Sequence, residues 1–191
     1  MEITTLNTPT SLTLSRLIIS PLVLPLLLVY FLPYDNTIIN SLLALFFVLL
    51  SLTDFFDGYL ARKYNQVTDL GKALDPLADK FLFFSALIAL VVIKKIFFYW
   101  AILFIAREFF IMGLRILALE RGFEIPVSWA GKCKTFVQMA YITFIIAHYF
   151  SLLGVWYEVI ETLLLVGSLT LSFYSAYAYY ISFKNCYYSK I

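Results

Sequence analysis

The chain has 191 residues, 62% hydrophobic and only 14% charged, with 14 Lys and Arg against 12 Asp and Glu, and its mean hydropathy is +0.89. So few charges, gathered in clusters, cannot coat the core of a soluble domain of this length, and a net charge of +2 gives no general affinity for nucleic acid. A soluble fold and a nucleic-acid partner are thereby excluded, and an integral membrane protein is expected.

The first residues lack the basic start and small-residue cleavage site of a signal peptide, so the first apolar run is expected to stay as a span. Before it, Asn7 to Arg16 reads as turn-like and then alternates polar with apolar residues, a segment expected to lie along the membrane interface. Six apolar runs of about 20 residues follow, the length that crosses roughly 30 Å of hydrocarbon. They extend from Leu14 to Leu32, Ile38 to Phe56, Asp75 to Ile93, Phe97 to Leu119, Trp129 to Tyr149 and Trp156 to Phe183. Spanning backbone must satisfy its own hydrogen bonds, and these runs are too long and uniform for barrel strands. The predicted fold is an all-α membrane protein, a bundle of six transmembrane helices with an N-terminal interfacial segment. Without repeats or a long linker, residues 1–191 are expected to form one domain.

The connections alternate in character. Pro33 to Asn36, Lys94-Lys95 and Leu153-Gly154 are short, whereas Gly58 to Leu74 and Glu120 to Ser128 are longer and polar. With the N-terminus inside, Arg16, Arg62, Lys63, Lys72, Lys80, Arg115, Arg121, Lys132, Lys134, Lys184 and Lys190 fall on or near the cytoplasmic face, and only Lys94 and Lys95 oppose the bias. Both termini and both polar loops are therefore expected to be cytoplasmic. Cys133 and Cys186 then stay reduced, and the tail from Tyr174 to Tyr188 reads as an interfacial aromatic belt.

Chemistry concentrates in Asp54-Phe55-Phe56-Asp57-Gly58-Tyr59-Leu60-Ala61-Arg62, followed by Gly71, Asp75 and Asp79. At 100° per residue, Asp54, Asp57, Gly58 and Ala61 fall within about 100° of one another, and Asp75 and Asp79 within about 40°. Two antiparallel helices can bring both acidic faces together. Four carboxylates converging at a bilayer edge repel and lose hydration, and divalent cations offset that cost. An all-oxygen donor set without Cys or His favours two hard ions, Mg²⁺ or Mn²⁺, which suit phosphoryl displacement. Gly58 and Ala61 leave room for a nucleotide near the backbone. In the plainer alternative the acids solvate a loop and pair with Arg62, Lys63, Lys72 and Lys80. Pro76 disfavours an α conformation at Asp75, which is expected in a first turn or as a cap.

The fourth run carries Arg107, Glu108 and Arg115, and the fifth opens with Lys132 and Lys134. Arginines within an apolar run need a partner or a cavity. Arg107 and Arg115 lie about 80° apart around a helix, so both can border one wide anion pocket with Lys132 or Lys134. Alternatively, Arg107 pairs with an acid from another span while the other cations mark the cytoplasmic edge. Glu108 is expected to point away from Arg107, and His148, Gly113 and Gly167 are expected to be structural.

The pattern Asp54-x-x-Asp57-Gly58-x-x-Ala61-Arg62, eight residues, Gly71-x-x-x-Asp75-x-x-x-Asp79 resembles the signature of the CDP-alcohol phosphatidyltransferase family at every fixed position. The resemblance implies that Asp54, Asp57, Asp75 and Asp79 bind two metals, that Asp79 is also the general base, and that Gly58, Ala61, Arg62 and Gly71 border the CDP site. Asn7-x-Pro9-x-x-Leu12-Thr13-x-x-Arg16 is similar to the family's opening segment, which adds Pro9, Thr13 and Arg16 to the nucleotide pocket; by spacing alone they also fit a helix start with a snorkelling arginine. Ile105 to Glu108, Leu114-Arg115 and Val127 to Met139 resemble the branch of the family that makes phosphatidylglycerophosphate. That likeness implies an acceptor with its own phosphate, glycerol 3-phosphate, held by Arg107, Arg115 and Lys134.

The reaction so implied is attack by the acceptor hydroxyl on CDP-diacylglycerol with loss of CMP, in a homodimer whose active site faces the cytoplasm, in a bacterial inner membrane. Rival expectations are the same chemistry with inositol phosphate, serine or a second phospholipid as acceptor, and a divalent-cation transporter.

Overall fold

A computed structural model describes the backbone of residues 8–63, 69–123, 125, 129–148 and 150–188, and the side chains of residues 18, 20–53, 80–123, 125, 129–148 and 152–187. The described backbone is helical and contains no strand. Helix α1 covers Thr8–Phe31, followed by a 3₁₀ turn at Leu32–Tyr34; α2 is Thr37–Lys63, α3 Asp69–Val92, α4 Phe98–Glu120, α5 Trp129–Ala147, α6 Phe150–Leu153 and α7 Val155–Tyr188.

The six apolar runs reappear as the six long helices, with different ends. The turn-like reading of the N-terminal segment is corrected: α1 is helical from Thr8 and passes through Pro21 and Pro25. Pro9 is its second residue, where a missing N–H removes no intrahelical bond. Helices α2 and α3 continue well beyond their apolar runs into the acidic stretch, and the four-residue α6 was not foreseen.

The chain divides into two compact units. The first comprises Met1–Ile96 with Ile142–His148. Its core draws Leu24 and Leu28 from α1, Phe47 from α2, Leu87 and Leu90 from α3 and Ile145 from α5. Helix α1 packs on both α2 and α3, and α2 on α3.

One end of this unit is pinned by polar contacts. Asn36 Oδ1 caps α2 by accepting from the N–H groups of Ile38 and Ile39 at 3.0 and 3.3 Å. Helix α3 closes with the Lys95 N–H donating to the Leu90 carbonyl and the Lys94 N–H to that of Val91, a Schellman turn with Lys94 left-handed at φ 61°. His148 joins the two turns: Lys95 Nζ stands 3.1 Å from each ring nitrogen, and Asp35 Oδ1 lies 3.4 Å from Nε2. Burial lowers the His148 pKa, the Lys95 ammonium lowers it further, and Asp35 opposes both. The end of α1, the start of α2 and the end of α3 therefore meet at one level, so α1 and α3 run in one direction and α2 in the other.

The second unit comprises Phe97–Tyr141 and Tyr149–Ile191. Its contacts fix the helix directions. Arg107 meets Ser172 and Ser175, Phe110 meets Tyr180 and Phe123 meets Phe183, so α4 and α7 run parallel. Lys134 meets Glu108 and Tyr141 meets Phe104, so α5 runs against them. Helix α4 ends in a second Schellman turn: Gly122 is left-handed at φ 72°, the Phe123 N–H reaches the Ala118 carbonyl, and Phe123 packs on the cluster that holds Ala118. At the same end the Arg121 guanidinium lies 5.3 Å from the centroid of the Tyr187 ring.

The surface is inverted relative to a soluble protein. Leu26, Ile38, Phe136, Val155 and Trp129 are each more than 70% exposed, while Asn40, Arg107, Glu108, Lys134, Gln138 and Ser172 are buried. Hydroxyls turn back onto their own helices, as in Thr53 Oγ1 to the Leu49 carbonyl, Thr170 Oγ1 to that of Val166 and Ser182 Oγ to that of Ala178. Lipid explains both features, since it solvates apolar side chains and offers polar ones nothing. Among the described residues one helix, Val155–Tyr187, is long and apolar enough by itself to cross a membrane. The 34 residues of α7 extend about 51 Å, past the roughly 30 Å hydrocarbon layer, which leaves exposed Tyr174 and Tyr177 room at an interface.

Candidate functional site

All positions expected for metal and nucleotide lie in the first unit. Asp54, Asp57, Gly58, Ala61 and Arg62 are on α2, Gly71, Asp75 and Asp79 on α3, and Pro9, Thr13 and Arg16 on α1. Their side chains lie outside the described residues, so the expected convergence rests on backbone placement. Asp57 and Asp75 stand about 9 Å from the loop-side ends of their helices, and Asp54 and Asp79 one turn deeper, at about 14 Å. Measured from the end pinned by His148, the four aspartates, Thr13 and Arg16 all fall roughly 20–30 Å away. The direction of α1, α2 and α3 thus gathers these positions at one level, opposite the His148 end.

The expected break at Pro76 is corrected. Helix α3 begins at Asp69, so Asp75 is neither a cap nor in the first turn but lies a full turn inside the helix. Asp75 and Asp79 therefore share one continuous helix. Among the described residues no group of three or more His, Cys, Asp or Glu side chains could hold a metal ion, a set that does not include the four aspartates.

The described polar centre lies in the second unit. Arg107 is buried on α4 and uses all three nitrogens. Its Nε donates to the Ser172 carbonyl at 2.9 Å, Nη1 to Glu108 Oε1 at 2.7 Å, and Nη2 to Ser175 Oγ. Lys134, buried on α5, donates to the same Glu108 oxygen. Of the four cations expected in the acceptor pocket, Arg107 and Lys134 are brought together; Arg115 and Lys132 are exposed. Burial separates Lys132 from Lys134 because two residues on a helix face in nearly opposite directions.

Glu108 is the main correction here. Adjacent helical positions differ by 100°, which predicts that Glu108 points away from Arg107, yet both long side chains bend to one spot. Ser172 and Ser175 were also missed. Their signal was present: Ser168, Ser172, Ser175 and Tyr179 recur at spacings of three and four and are all buried, a polar stripe that in lipid demands a partner.

The profile of the CDP-alcohol phosphatidyltransferase family matches residues 6–173. The chain belongs to that family. Within it, similar curated proteins bear the name CDP-diacylglycerol–glycerol-3-phosphate 3-phosphatidyltransferase. That of Rickettsia felis is 37% identical over 181 residues, covering 94% of this chain and 95% of its own length. That of Wigglesworthia glossinidia brevipalpis is 39% identical over 188 residues, covering 95% and 94%, and that of Bacillus subtilis 35% over 152 residues, covering 74% and 77%. For this CDP-alcohol phosphatidyltransferase the match runs through both compact units, taking in the acid-bearing helices and, of the Arg107 centre, every residue but Ser175.

Proposed function

We propose that the chain is a membrane-embedded transferase that moves a phosphatidyl group from CDP-diacylglycerol to glycerol 3-phosphate, giving phosphatidylglycerophosphate and CMP. The observation that carries this is likeness along almost the whole chain to relatives named for that reaction, joined to an acidic signature held at one level of two packed helices. The chain acts as one domain of six spans, α1 to α5 and α7, with both termini and the acidic end on the cytoplasmic side of a bacterial inner membrane. Alternating helix directions in each unit and the basic residues near the acidic end support that orientation. A homodimer completes the reading.

Asp54, Asp57, Asp75 and Asp79 would hold two divalent cations, Mg²⁺ or Mn²⁺. Two aspartate pairs at matching depth on antiparallel helices, with oxygen as the only donor type, fit hard ions. Such ions, when bound, neutralise pyrophosphate oxygens and stabilise charge during in-line displacement. Asp79 accepts the proton of the acceptor's primary hydroxyl, whose oxygen then forms a bond to the diacylglycerol-side phosphorus as the bond to CMP breaks. Gly58, Ala61 and Gly71 keep bulk away from the nucleotide, while Pro9, Thr13, Arg16 and Arg62 orient it. Arg107 and Lys134 carry the acceptor's phosphate, and exposed Arg115 and Lys132 draw it in.

The test is incubation of purified protein with CDP-diacylglycerol, Mg²⁺ and labelled glycerol 3-phosphate. Labelled lipid and CMP should appear in equal amounts and both should vanish on chelation. Preferential consumption of unlabelled inositol phosphate in competition would overturn the acceptor assignment.

A further inference from the structure

The Arg107 centre contains its own anion. Nη1 of Arg107 on α4 and Nζ of Lys134 on α5 converge on a single oxygen, Glu108 Oε1. The side chains are 7%, 8% and 10% exposed for Arg107, Lys134 and Glu108, so water screens their charges poorly. The rest of the guanidinium is anchored independently of Glu108, by the Ser172 carbonyl and Ser175 Oγ. The two cations therefore present themselves to whichever anionic oxygen sits between them, and carboxylate and phosphate oxygens satisfy the same donors.

Resting on the acceptor reading of Arg107 and Lys134, we infer that Glu108 is a built-in competitor for the acceptor's phosphate, its Oε1 holding the place between the two cations that a phosphate oxygen takes on binding. Exchange sets a threshold. Glu108 offers one negative charge and no cost of association, so a free monoanion gains nothing by replacing it. A phosphate monoester carries about 1.5–2 charges at neutral pH and three acceptor oxygens, enough to take both cations and send the carboxylate aside. Glu108 thus selects for phosphorylated acceptors over acceptors bearing only a carboxylate, and it does so without touching the reacting atoms.

Glu108→Gln keeps the shape and removes the charge. In the full-length variant, KM for glycerol 3-phosphate should fall at least about tenfold, since the like charge facing the phosphate is gone, with kcat changed less than about threefold. Inhibition by inorganic phosphate should strengthen in parallel. A folded Glu108→Gln protein whose KM rises or stays level, with unchanged phosphate inhibition, would overturn the inference and leave Glu108 a scaffold residue. Should that variant not fold, Glu108→Asp decides: withdrawing the carboxylate by one methylene should lower KM in the same direction, and inorganic phosphate should raise its thermal midpoint more than it raises that of the natural protein. Lys134→Met separates this inference from the reading beneath it. That variant should raise KM, and an unchanged KM there would refute the acceptor pocket itself.

Discussion

Arg107→Lys keeps the charge at the polar centre and removes the fork. A lysine reaching Glu108 cannot also donate to the Ser172 carbonyl and Ser175 Oγ, so two bonds between α4 and α7 are lost. Polar contacts between membrane helices average about 0.6 kcal/mol and reach about 1.7, which sets the loss at roughly 1–3 kcal/mol. For a chain of this size 1 kcal/mol moves the unfolding midpoint by about 2–4 °C, so the variant should melt roughly 3–10 °C lower in detergent. Tryptophan fluorescence during heating reads this directly. Ser175→Ala removes one of the same bonds, so its effect should largely disappear in the Arg107→Lys background. A variant that melts with the natural protein, or full additivity of the two losses, would refute the role given to the fork.

Asp79→Asn should lower CMP release by about 10²–10⁴-fold with an unchanged thermal midpoint; near-natural turnover would remove the base assignment. At the helix ends, Lys94→Gly should stabilise and Gly122→Ala destabilise by roughly 1 kcal/mol each, because both positions are left-handed. An added Cβ at Gly122 meets nothing within 4 Å, so that loss is conformational, and thermal midpoints moving the same way in both variants would contradict it. His148 has a pKa lowered from 6.5, so below about pH 6.5 the unfolded chain binds a proton that the folded chain resists, and stability falls as pH drops through that window. His148→Asn, which tolerates the φ of 45°, should flatten the decline; identical slopes between pH 7 and 5 would show that another group titrates there.

The fold was legible where hydrophobicity decides it. Six apolar runs became six long helices, because long, uniformly apolar backbone satisfies its own hydrogen bonds within a helix. It was less legible where the runs ended: α2 continues through Asp54 to Lys63 and α3 starts at Asp69, since helix formation does not stop at the first polar residue. Pro76 shows a local rule losing to its setting, because a proline within a packed helix can be tolerated when neighbouring helices hold the segment in place. At the candidate site, what the sequence conveys of the acidic pattern is its placement on two helices at one level, because spacing and level are properties of helices. The Arg107 centre does not, because its geometry depends on side chains several bonds long from three helices. Periodicity placed Arg107 and Arg115 at one pocket, whereas burial separates them and joins Arg107 to Lys134 through Glu108.

The partners of Arg107 also bear on how the polypeptide is made. In synthesis α4 emerges with an arginine and a glutamate in mid-helix, and Lys134 follows on α5. Ser172 and Ser175 emerge last, on the C-terminal helix. Until then two of the guanidinium's donors lack the acceptors they have in the finished fold, so a nascent chain cut before α7 leaves Arg107 without those two anchors.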